Sequence, residues 1–149
     1  MSPQQVLELL GRFAPESEKY RFIEMLAFNV HLGNADAHAK NYSVFLDDEV
    51  RMTPLYDAVP TLLWPALTDD RLAMTVGGAR RSPEVQMANW AKLARVSHLD
   101  VDAVLEIVAR VGAGIRELST ATFRGAGLSD EMIDRWEHVV ASTTRHLPD

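Results

Sequence analysis

Residues 16–32, ESEKYRFIEMLAFNVHL, are apolar on more than one side, and this restricts the fold more than any other stretch. Phe22, Ile23, Leu26, Ala27 and Val30 recur at spacings of three and four, the stripe of a helix packed on a core. Met25, Phe28 and Leu32 widen that stripe, so other elements must cover the helix on most of its sides. Pro15 with the acidic Glu16 and Glu18 suits a helix N-terminus, where the macrodipole favours negative charge. Gly33 suits the left-handed position that ends a helix. The pattern predicts a helix from Glu16 to Leu32.

The remaining elements are placed around it. A first helix is expected over residues 2–12, with Ser2-Pro3 as cap and first turn and Gly11 as its stop. After residue 41 the periodicity changes: YSVFLDDEVRMTPLYD has two short runs around the acidic turn Asp47-Asp48-Glu49, the pattern of a β-hairpin. RLAMTVGGARR is a second, weaker strand-and-turn segment. Helices are expected over 84–96, over 99–117 after the Ser97/Asp100 cap region, and over 129–146 with Ser129 as N-cap. The last should bury Met132, Ile133, Trp136, Val139 and Val140. No repeat, linker or low-complexity segment interrupts the 149 residues, so one mainly α domain over 1–149 is expected, with a small β element inside it.

Charge and composition narrow the chemistry. A net charge of −6 with scattered basic residues argues against direct binding to nucleic acid, which needs clustered Lys and Arg. There are no cysteines, so disulfides and thiolate chemistry are excluded. The N-terminus lacks a basic region followed by an apolar run, and no apolar stretch approaches the ~20 residues of a membrane span. A soluble, cytoplasmic protein is the expectation.

The segment GNADAHAKN, residues 33–41, stands between the long helix and the hairpin, a loop held at both ends. Asp36 and Asn41 are five positions apart, and Asp57 lies at the far end of the hairpin, which returns the chain toward Asn41. Asn41 and Asp57 would then offer two oxygen ligands to a hard cation such as Mg²⁺, which shares its other positions with phosphates and water. Asp36 would remain free to accept a proton from a hydroxyl. Phosphoryl transfer uses this combination: a base, a metal-binding Asn five residues on, and a second metal-binding Asp. The competing readings are simpler. Asn34 and Asp36 suit a turn. His31, His38 and Asp36 suggest zinc but lack a zinc-ligand spacing. Tyr56 suits core packing, Lys40 a surface, residues 47–49 a solvated turn, and Trp64, Trp90 and Trp136 core or interface.

GNADAHAKNYSVFL followed by MTPLYDAVPT, with LAMTVGGARR further on, resembles the C-terminal region of HipA-like serine/threonine kinases, the toxins of HipA–HipB toxin–antitoxin pairs. The resemblance covers most of residues 15–95. It implies a protein-kinase-like C-terminal lobe with Asp36 as catalytic base and Asn41 and Asp57 holding Mg²⁺. It places His38, Ala39 and Lys40 along the phosphates of ATP, with Tyr56 beside Asp57. It also implies a HipB-like antitoxin as partner, DNA reached only through that antitoxin, and a protein substrate of the aminoacyl-tRNA synthetase class. Asp57 is followed by Ala58-Val59 in place of the Phe-Gly of ordinary protein kinases.

A kinase grips ATP between two lobes, and the first brings a Gly-rich loop and a strand lysine. Neither is in this sequence. Its lysines are Lys19, Lys40 and Lys92, and Gly112-Ala113-Gly114 falls inside a helical pattern. The expectation is therefore a C-terminal lobe without its N-terminal lobe, with little or no activity alone. The rival readings are an inactive antitoxin-binding or dimerisation module and, more weakly, a metal-dependent hydrolase.

Overall fold

In the computed structural model, which describes residues 1–66 and 70–148, the predicted central helix is α2, Glu16–Leu32. Helix α1 (Pro3–Phe13) precedes it, opened by a reciprocal cap in which Ser2 Oγ accepts the Gln5 N–H and Gln5 Oε1 accepts the Ser2 N–H. Two antiparallel hairpins follow α2: β1 (Val44–Leu46) with β2 (Val50–Met52), then β3 (Arg71–Val76) with β4 (Ala79–Arg81). Helices α3 (Met87–Val96), α4 (Val101–Gly125) and α5 (Asp130–Thr144) complete the order. The result is the mainly α kinase-lobe architecture expected, with small hairpins on the C-terminal side of α2.

Helix α4 lies along α2, with α3 and α5 packed on α4 and α1 and α5 on α2. Phe22, Ile23, Met25, Leu26, Ala27, Val30 and Leu32 of α2 are all buried. All but Leu32 join Leu7 and Leu10 of α1, Met74 and Val76 of β3, Trp90 and Leu93 of α3 and Val104 and Val108 of α4 in the main core. Each large apolar side chain buried this way contributes on the order of 2 kcal/mol. A second cluster joins the last turn of α2 to α5 through Leu32, Leu63, Ile115, Trp136 and Val140.

Several boundaries differ from expectation. Helix α4 continues past 117 to Gly125, because Ser119 and Thr122 turn their hydroxyls back onto the carbonyls of Ile115 and Leu118 and do not break the helix. Trp136 Nε1 donates to Ser119 Oγ at 2.9 Å, and Phe123 meets the Trp136 ring edge-on, so α5 holds this extension in place. Residues 82–84 form a 3-10 turn and α3 starts only at Met87, where Asn89 Oδ1 accepts the Gln86 N–H. Helix α5 ends at Thr144, with Ser129 as its N-cap. Met132 and Val139 are half-buried, while Ile133, Trp136 and Val140 are fully inside. Trp90 and Trp136 are core residues and Trp64 is exposed. No helix among the described residues is long and apolar enough to cross a membrane.

Candidate active site

Helix α2 ends where Gly33 takes a left-handed φ of 75°, and the chain turns directly into the loop. That conformation and the space both call for glycine: a Cβ here would stand 2.7 Å from Val139 Cγ1 of α5. The loop is fastened from several directions. Leu62 N–H donates to the Gly33 carbonyl at 3.1 Å, Ala35 N–H to Thr61 Oγ1 at 2.9 Å, and Ala73 N–H of β3 to the Ala35 carbonyl at 2.9 Å. Both the segment after Asp57 and the second hairpin therefore hold residues 33–35.

Asp36 projects outward, its side chain 64% exposed, with one carboxylate oxygen 3.0 Å from His38 Nε2. Residues 39–41 form a single 3-10 turn, which carries Ala39 half-buried, Lys40 exposed and Asn41 buried. The hairpin then returns the chain. Asn41 Nδ2 donates to Asp57 Oδ2 at 2.6 Å, so the two residues expected to meet do meet. Asp57 itself has a φ of 56°, unusual for a residue with a side chain. Met52 N–H donates to Glu18 Oε2 at 2.6 Å, tying the hairpin to the first turn of α2. Tyr56 is not core packing: it is exposed, donates its hydroxyl to the Lys40 carbonyl at 3.0 Å and so accepts from Ser43 Oγ at 2.7 Å. It braces the turn that holds Asn41.

The two clusters, Asp36/His38 and Asn41/Asp57, are joined by residues the sequence did not single out for chemistry. Buried Asn34 accepts the Asp36 N–H at 3.2 Å and donates to Asn29 Oδ1 at 2.9 Å and to the Asp57 carbonyl at 3.1 Å. Asn29, on α2, donates in turn to the Met25 carbonyl at 3.2 Å and to Tyr42 Oη at 2.9 Å. Burial pushes the Tyr42 hydroxyl up to about 12, partly offset by the Asn29 bond, so it stays neutral. The available signal was Asn29 itself: an amide on an otherwise buried helix must find partners.

His31 plays no part in this cluster. It is buried between α2, α4 and α5, with Nδ1 3.3 Å from the Thr143 carbonyl, and burial lowers its pKa to about 4. His38 is exposed beside Asp36, and among the described residues no group of three His, Asp or Glu is placed to hold a metal, so His31, His38 and Asp36 do not assemble into one site. Mg²⁺ sets a different demand. Adjacent ligands of an octahedral ion with bonds of ~2.1 Å stand about 3 Å apart, so Asn41 and Asp57 fit it if the carboxamide turns its oxygen inward. Two protein ligands hold such an ion weakly until phosphate oxygens join them.

The family model for the HipA-like C-terminal domain matches residues 1–118, which take in the loop, both hairpins and α1–α3. The protein named "Putative kinase Y4mE" of Sinorhizobium fredii is 34% identical over 119 residues, 70% of this chain and 28% of its own length. The solved structure of Shewanella oneidensis MR-1 HipA, from a toxin–antitoxin complex with HipB and operator DNA, superposes with a TM-score of 0.83. That match, at 20% identity, covers 98% of this chain and 36% of the HipA chain, and it shows a common fold. The chain thus spans about a third of the length of the relatives it matches. It belongs to the HipA-like C-terminal domain family.

Proposed function

We propose that this chain is the catalytic half of a HipA-like serine/threonine kinase and works with a nucleotide-gripping lobe not contained in its sequence. The observation that carries the reading is the 2.6 Å meeting of Asn41 and Asp57 beside the loop that exposes Asp36. In the proposed reaction a protein hydroxyl attacks the γ-phosphorus of ATP. Its oxygen forms the new P–O bond, the bond to the β–γ bridging oxygen breaks, and ADP departs. The hydroxyl proton goes to Asp36. His38 Nε2, 3.0 Å from Asp36 Oδ1, keeps the carboxylate oriented. Mg²⁺, when bound at Asn41 and Asp57, would neutralise charge on the phosphates. Lys40 is exposed at the same turn, where its ammonium can meet phosphate, and Tyr56 holds that turn by its bond to the Lys40 carbonyl.

Positioning and charge stabilisation supply nearly all of phosphoryl-transfer catalysis, so half a cleft should bind nucleotide weakly and turn over little. A HipB-like antitoxin as partner is supported by the company its structural relative keeps. The strand β1, with Phe45 and Leu46 exposed, favours a second reading as an interaction module. Calorimetric titration with Mg²⁺ and ATP, repeated with Asp57→Ala, separates them. Weak binding that requires Asp57 supports the catalytic reading. Absence of binding in both overturns it and leaves the interaction module.

A further inference from the structure

We infer that Asn34 is a positioning residue that sets Asp36 and the Asp57 loop relative to one another, backed by Asn29; this rests on the phosphoryl-transfer reading above. An asparagine after a helix often does no more than form a turn, accepting a nearby N–H. The bond from the Asp36 N–H to Asn34 Oδ1 is of that kind. The other two are not. Asn34 Nδ2 uses both hydrogens on groups outside the turn, Asn29 Oδ1 on α2 and the Asp57 carbonyl 23 positions on, and the side chain is buried. A turn has no need of either bond.

The network also admits one orientation of each carboxamide. Asn34 Oδ1 faces a donor and its Nδ2 faces two acceptors; rotating it would set oxygen against oxygen at both Asn29 and Asp57. Asn29 is fixed likewise by the Met25 carbonyl, Tyr42 Oη and Asn34. Asn34 is thus held from behind by the core of α2 and holds two things in front. One is the backbone of Asp36. The other is the carbonyl of Asp57, whose left-handed backbone accompanies the approach of its carboxylate to Asn41. A base and a metal ligand must keep their separation to within about half an ångström for in-line transfer. Among the described residues, Asn34 is the side chain that bonds to both.

Substitution separates its two tasks. Asn34→Asp keeps an acceptor for the Asp36 N–H and loses both donors; Asn34→Ala loses everything. In Asn34→Ala, exchange of the Asp36 amide by NMR should accelerate about tenfold, Asp57 backbone resonances should move, and Mg²⁺–ATP affinity should fall about tenfold or more. In Asn34→Asp, Asp36 protection should stay within about threefold of the parent while the Asp57 shifts and the affinity loss persist. Val104→Ala, a buried α4 change outside the network, should lower stability and leave Asp36 exchange and affinity alone. That control marks what general loosening would produce. Unchanged Asp36 exchange and Asp57 resonances in Asn34→Ala would overturn the inference. If that variant does not fold, Asn34→Asp decides, and in the parent protein an Asn34 side-chain amide exchanging as fast as a free carboxamide would also overturn it. Should the parent show no Mg²⁺–ATP response at Asn41 or Asp57, the phosphoryl-transfer reading fails, and the positioning role is judged on exchange and resonances alone.

Discussion

Replacing His31 with Leu should flatten the fall in stability that acid causes between pH 6.5 and 4. The imidazole is buried at 2% exposure. A carbonyl can only accept, so the Thr143 carbonyl at Nδ1 identifies the neutral tautomer with its proton there. Nε2 is buried and has no hydrogen-bond partner, and it faces Gly112, where even a Cβ would come within 3.3 Å. A proton arriving at Nε2 therefore enters a site with little solvent. Desolvation is the chief cause of the depressed pKa; the Arg116 charge reinforces it, while the carbonyls of Thr143 and Val108 oppose it. The pKa is 6.5 in the unfolded chain and about 4 in the native protein. Above 6.5 both states are neutral and His31 contributes no pH dependence. Below it the unfolded chain takes up a proton that the native protein does not, so stability falls as the pH falls. At 1.36 kcal/mol per pH unit, this comes to about 2 kcal/mol at pH 5 and about 3 kcal/mol near pH 4. Urea unfolding followed by fluorescence of the buried Trp90 and Trp136 gives the stability at each pH. The Leu variant starts lower, having lost the Thr143 bond, but its curve should be flatter by that amount. Parallel curves, within about 0.5 kcal/mol from pH 7 to pH 4.5, would refute the buried neutral imidazole.

Two further changes test the site and the fold. Asn41→Asp sets a second carboxylate within hydrogen-bond distance of Asp57 Oδ2; at pH 7 without divalent ions it should cost about 1–2 kcal/mol, and Mg²⁺ should restore much of the melting temperature. A melting temperature indifferent to Mg²⁺ counts against a cation between these residues. Gly77→Ala should cost about 3 kcal/mol or more, because its Cβ would fall 2.0 Å from the Asn89 carbonyl oxygen at a φ of 53°. Gly78→Ala, where the nearest atom is Lys92 Nζ at 3.6 Å, carries only the left-handed backbone penalty of about 1 kcal/mol. Thermal melts of the pair should rank them in that order.

What could be read from the sequence alone was local and periodic. The stripe of α2 and its glycine stop placed the helix at Glu16–Leu32 because burial on several sides leaves few polar positions and a left-handed exit favours glycine. Two short runs around an acidic turn located the first hairpin, and a hairpin's return brought Asp57 to Asn41. The motif text led to the HipA-like C-terminal family and hence to the lobe architecture. Polar residues near the end of α4 hid its true length, because side chains that bond back to the helix carry the same letters as those that break it.

The tertiary structure alone decided which polar residues work inside. Asn34 reads as a turn former from its neighbours, yet two of its three bonds go to partners five and 23 positions away. Tyr56 reads from the sequence as core packing or as a neighbour of Asp57; in the fold it is exposed, with its hydroxyl bonded to the Lys40 carbonyl. His31 and His38, seven positions apart in sequence, separate completely: one is sealed against α5 and the other sits beside Asp36 in solvent. Hydrophobic periodicity reports which face of an element is buried. A hydrogen bond depends on where two distant backbones converge, and that position exists only once the helices have packed.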